Sequence, residues 1–131
     1  MPKRRSKPIR MTLPWECMVP DNRRFLSKGH VLTPRYRKAM ELCALHVIQQ
    51  VKPPRPRYPK GSLCSVELTY YVPDRRRRDV GNTLKIICDS LEGPNGIWED
   101  DYSISHLCYT RAGVDRENPR CEIVVRDYTD E

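Results

Sequence analysis

No run of apolar residues in this 131-residue chain approaches the roughly 20 needed to cross a bilayer. The mean hydropathy of −0.72 leaves little apolar surface for a membrane in any case. Six cysteines (Cys17, Cys43, Cys64, Cys88, Cys108 and Cys121) include no Cys-x-x-Cys pair, and neither they nor the histidines have useful spacing for zinc. A zinc knuckle and a redox motif are therefore set aside, and the cysteines are expected to be buried free thiols. No internal repeat is visible. The basic stretch Met1-Pro-Lys-Arg-Arg-Ser-Lys-Pro runs into a strand-like segment rather than the apolar core of a signal peptide. This predicts a cytoplasmic location, with residues 1–8 as a flexible basic tail.

What the chain has is charge, unevenly distributed. Lys and Arg outnumber Asp and Glu by 24 to 17, for a net charge of +7 that favours polyanionic partners. Up to Pro73 there are 15 basic and 4 acidic residues; after it, 9 basic and 13 acidic. A cationic binding surface is thus separated along the sequence from a source of carboxylates. The length fits one domain, residues 1–131, large enough for a hydrophobic core.

Ile9 to Leu13 alternates apolar and polar residues before Pro14-Trp15, which predicts a short strand. Thr33-Pro34 supplies an N-cap followed by proline at the first helical position. Tyr36, Met40, Cys43, Ala44 and Val47 then recur at helical spacing to about Gln50. Four prolines between Val51 and Lys60 make that stretch an extended connection. Leu63 to Val72 reads as a strand, and a helix capped by Asp79 is expected to run to about Leu91 on the stripe Val80, Leu84, Ile87 and Leu91. Asn82, Lys85 and Asp89 would then share an exposed edge, while Ile86 breaks the polar face as a contact for another element or subunit. Gly93-Pro-Asn-Gly96 is a turn, after which Ile97-Trp98 would anchor Glu99-Asp100-Asp101. Two more strands are expected over Ser103–Thr110 and Arg120–Tyr128. The order β-α-β-α-β-β predicts an α+β fold, a mixed sheet with two main helices packed on it.

Residues 74 to 101 carry the chemistry. Four consecutive arginines, Arg75, Arg76, Arg77 and Arg78, abut Asp79 and are followed by the acids at 99 to 101. Arginines neutralise phosphate, while carboxylates packed closely repel unless a cation sits between them. Phosphodiester hydrolysis needs carboxylates to hold a metal, and a cationic side chain for the developing charge. Asp79 and Asp101 are the expected oxygen ligands for Mg²⁺, with Mn²⁺ as a substitute and Asp100 as an additional ligand. Lys85 would face phosphate or the attacking water. Arg23 and Arg24 lie in a polar, basic loop suited to nucleic acid but equally ordinary as a surface turn. Singly, each feature has a plain alternative: Asp79 as a helix cap, Lys85 as a solvated side chain, the acids as a charged turn.

In combination, Pro-Asp-Arg-Arg-Arg-Arg-Asp, then Asn82 and Lys85, then Gly-Ile-Trp-Glu-Asp-Asp resembles the RusA family of Holliday-junction resolvases. Met11-Thr-Leu-Pro-Trp15, Asn22-Arg23 and the helix after Val31 are similar to that family's opening. The resemblance implies a small homodimeric endodeoxyribonuclease, common in phages, that places paired symmetric nicks in four-way DNA junctions using divalent metal. It implies no small-molecule substrate, and a DNA-associated place in a bacterial or phage-infected cell. Carried over by motif, Asp79, Lys85 and Asp101 are catalytic, Asn82 supports them, and Arg75 to Arg78 contact phosphates.

One position departs from the pattern. Many members read Asp-x-Asp-Asn where this chain has Asp79-Val80-Gly81-Asn82. Glycine in a helix costs about 1 kcal/mol relative to alanine, so stability does not explain it. Asp100 or water could complete the metal shell, or the chain could be an engineered inactive variant. The alternative function is a catalytically weak or inactive protein that only binds branched DNA.

Overall fold

The computed structural model describes residues 7–26 and 31–128. The expected basic tail falls largely on residues 1–6, which lie outside the described residues, as do the loop positions 27–30. The elements are β1 (Ile9–Pro14), α1 (Pro34–Gln50), β2 (Cys64–Val72), α2 (Leu84–Ser90), β3 (Ile104–Val114) and β4 (Arg120–Asp127), in the expected order.

The sheet runs β1-β4-β2-β3, with β4 antiparallel to both of its neighbours and β3 parallel to β2. Register lines up the apolar alternation: Met11 and Leu68 both face Ile123, while Ile9 and Val66 both face Val125. One face of the sheet is therefore continuous core, and it is the face against which α1 and α2 pack. The intervening positions Arg10, Glu67 and Arg126 lie on the open polar face, where Arg126 bonds Glu67. Because β3 is parallel to β2, the chain must cross over between them, and α2 is that crossover. β3 is longer than expected: beyond a bulge at Tyr70/Tyr71, Gly113 and Val114 continue the pairing with Tyr71 and Val72.

Thr33 caps α1 as expected, its Oγ1 accepting from Tyr36 N at 3.2 Å, and Tyr36, Ala39, Cys43 and Val47 form the buried stripe. The second helix differs from the expectation in its first turn. Val80–Thr83 is a 3₁₀ turn, and α-helix begins only at Leu84. Asp79 Oδ1 reaches the N–H of Gly81, two residues on, at 3.0 Å, and Asn82 N bonds Asp79 O, which tightens the turn. A 3₁₀ turn advances about 120° per residue against about 100° in an α-helix, which shifts the phase of the stripe. Ile86, expected as a contact for another element, is fully buried in the core alongside Ile87.

After α2 the chain reverses through a turn that only glycine permits at position 96. A Cβ there would stand 2.2 Å from the Leu91 carbonyl oxygen. The close approach lets Ile97 N bond that oxygen at 2.7 Å and Gly93 N bond Trp98 O at 2.9 Å. Ile97 and Trp98 are fully buried, as the sequence predicts. All six cysteines are free thiols. Among the described residues no helix is long and apolar enough to cross a membrane.

Candidate active site

The crossover from β2 to β3 carries nearly every side chain of the site. Asp89 stands near the C-terminal end of α2 and Glu92 just beyond it. The buried Ile97-Trp98 pair brings the following segment back alongside, where Glu92 and Trp98 form a bridge. Glu99 is held away, accepting from the Lys60 N–H. Asp100 Oδ1 accepts from Tyr102 N at 2.9 Å and caps the 3₁₀ turn Asp101–Ser103. That cap presents Asp101 to the end of α2. Ligand oxygens of Asp89, Glu92 and Asp101 lie within 4.8 Å of one another, and Lys85 Nζ is 3.2 Å from Asp89 Oδ1.

Glu92 is held above its ordinary value first by burial and next by the charge of Asp101. Asp21 is also raised, by burial; Arg24 and Lys85 oppose the shift and Asp89 adds to it. The turn bearing Asp21 packs against the 3₁₀ turn Val80–Thr83. Tyr36, 1% exposed, is pushed up to about 12, by burial first and then by Asp89 and Asp21. Its hydroxyl has no hydrogen-bond partner among the described residues. The Cys88 thiol is pushed up to about 11 by burial, Asp101 and Asp89, which keeps it protonated at neutral pH.

The donors on offer are therefore oxygens, the set preferred by hard cations such as Mg²⁺ and Mn²⁺. Oxygens around Mg²⁺ sit at about 2.1 Å from the ion, so opposite ligands are at most about 4.2 Å apart. At least two of three such oxygens would be adjacent, about 3 Å apart, so a cation would draw this cluster, which lies within 4.8 Å, closer together; the all-oxygen donor set fits such an ion. In metal-free protein the same crowding is unfavourable. Glu92→Gln is expected to stabilise the fold at pH 7 by on the order of 0.5 kcal/mol once solvent screening is allowed for, read as a higher melting temperature. A raised carboxyl favours the fold while protonated, and that contribution is lost as pH rises through its folded value. The gain in the variant should therefore vanish below about pH 4.5, the ordinary glutamate value. Calorimetry showing an equal gain at pH 4 and pH 7 would contradict this assignment.

Of the residues expected at the site, Asp101 and Lys85 enter the cluster. Asp100 supports it through the cap rather than as one of the three clustered ligands. Asp79 begins the helical stretch that Asp89 ends, with Lys85 between them, and is not among the three carboxylates. Its Oδ1 is engaged at Gly81 N. Asn82 is exposed on the same stretch. Arg75, Arg76 and Arg77 are exposed, whereas Arg78 is partly buried, paired with Asp74 at 2.8 Å and 5.5 Å above the Trp15 ring. Arg23 is exposed, and Arg24 lies 4.3 Å over the Phe25 ring.

A family model described as endodeoxyribonuclease RusA matches residues 14–126, a span that includes the arginine run, α2 and the acid cluster. The chain belongs to the RusA family. No curated protein matches it individually. Within this RusA chain, sequence reasoning missed Glu92 as a member of the acidic cluster and Asp21 as a charge coupled to it, and placed Asp89 only on an exposed edge. The i, i+4 spacing of Lys85 and Asp89 was the available signal for the ion pair. For Glu92 the i, i+3 spacing from Asp89 was a local signal, whereas its meeting with Asp101 comes only through the turn closed at Gly96. RusA proteins are endodeoxyribonucleases, so DNA is the family's substrate.

Proposed function

We propose that the chain resolves four-way DNA junctions as a homodimer, making paired symmetric nicks with a divalent cation, Mg²⁺ or Mn²⁺. The observation that carries this reading is the meeting of Asp89, Glu92 and Asp101 beside Lys85, on the same crossover as the exposed Arg75 to Arg77. A bound divalent cation would polarise the scissile phosphate and lower the pKa of a ligated water. Asp101, with Asp89 and Glu92, would hold it. Lys85, paired with Asp89, would face the developing phosphate charge. Asp79 is the second acidic station, on the far side of Lys85 along the helical stretch, and its Oδ2 is the atom left to ligate. Asn82 lies beside it as a support. Arg75, Arg76 and Arg77, with Arg23 and Arg24 on the neighbouring turn, would fix the DNA backbone without reading bases. A two-fold dimer suits a two-fold junction, since each subunit then addresses one of two equivalent strands.

The test is incubation of the chain with a labelled synthetic four-way junction in Mg²⁺ or Mn²⁺. Symmetric nicks on opposite strands are expected, with none in a linear duplex of the same sequence. Tight junction binding without product would instead establish a branched-DNA binder whose chemistry was lost with the carboxylate absent at Gly81.

A further inference from the structure

Gly81 has no backbone reason to be glycine: it does not adopt positive φ, and glycine in a helical turn is unfavourable relative to alanine. What the position does is admit a neighbour. A Cβ at Gly81 would stand 2.9 Å from Tyr109 Oη, 3.3 Å from Tyr109 Cζ and 3.1 Å from Asp79 Oδ1. The phenol and the Asp79 carboxylate thus flank the point where a side chain at position 81 would begin.

Tyr109 is held there from behind. Its ring meets Tyr70 edge to face, with centroids 6.1 Å apart and planes at 86°. Buried Tyr70 donates to Thr83 Oγ1 at 2.8 Å, and Thr83 donates in turn to Val80 O at 2.7 Å. The phenol is therefore referenced to the same turn that carries Gly81. Two residues along β3, and so on the same side of the sheet, Arg111 reaches the carbonyl oxygens of Arg76 and Arg78, each at 3.4 Å. Tyr109 remains 45% exposed.

We infer that Tyr109 is a substrate-contacting residue: its hydroxyl, given room by Gly81, donates a hydrogen bond to a DNA phosphate oxygen on the side away from the Asp79 carboxylate. The inference rests on the proposed action on DNA. A phenol is a donor to an anionic oxygen, where a carboxylate at the same place would repel it unless a cation intervened. A phenol beside Gly81, where a carboxylate is absent, therefore favours holding the backbone.

Fluorescence anisotropy of a labelled junction in EDTA tests this without metal or cleavage. Tyr109→Phe is expected to weaken binding about tenfold, the effect of one hydrogen bond to a charged group, with an unchanged melting temperature. Gly81→Ala should produce a similar loss by displacing the phenol, and the double variant should be no weaker than either single one. Wild-type affinity in Tyr109→Phe, or fully additive losses, would overturn the inference. A parallel titration with linear duplex separates the two proposals. Equal affinity for both DNAs would sink the junction preference, while the effect of Tyr109 is still read on either one; no binding to any DNA would sink both.

Discussion

Asp101→Asn is expected to lower nicking of a four-way junction by on the order of 100- to 1,000-fold while leaving junction binding intact. Asp101 contributes one of three carboxylates in the cluster, and a charged metal ligand supports several kcal/mol of transition-state stabilisation at about 1.4 kcal/mol per factor of ten. Binding should hold or tighten, because one negative charge facing phosphate is removed. Asp100→Asn makes the natural comparison. Its Oδ1 caps the following turn, and an asparagine side-chain oxygen can cap equally well, so its loss should be far smaller. Unchanged cleavage in Asp101→Asn, measured at saturating Mg²⁺ and again in Mn²⁺, would remove the cluster from the mechanism.

Simultaneous replacement of Arg75, Arg76 and Arg77 by alanine should make the dependence of junction affinity on salt markedly shallower. Each phosphate contact contributes about 0.9 to the slope of log affinity against log salt on B-DNA. Loss of three contacts predicts a slope smaller by about 2 to 3, with a correspondingly large loss of affinity at low salt. Arg78 is excluded by design, since its guanidinium is paired with Asp74 and lies over Trp15. Replacing it would disturb the loop as well as the DNA contact. A slope identical to that of the unaltered chain would leave the exposed arginines as solubilising surface.

Much of the architecture was legible because it is written locally. Thr33-Pro34 states its own helix start, Gly61 and Pro73 bracket β2, and the turn residues from Gly93 to Gly96 announce a reversal. The apolar stripe Val80, Ile87 and Leu91 was also correctly read. What escaped depends on distant partners. The 3₁₀ first turn depends on Asp79 capping at Gly81, whereas Ile86 makes the contact with another element expected of it. Glu92 could not be paired with Asp101 without knowing that Ile97 N closes on Leu91 O. The crowding of Gly81 by Tyr109 follows from the parallel pairing of β3 with β2, which no spacing within the chain expresses.

The parallel pairing of β2 and β3 also determines how this chemistry could be transplanted. Arginine run, Lys85, all three clustered acids and Tyr109 occupy one uninterrupted β-α-β passage, while β1 and β4 contribute only the platform beneath. A graft of that passage onto another mixed sheet would carry most of these groups together as a cassette, with Asp21, Arg23, Arg24 and Tyr36 left behind.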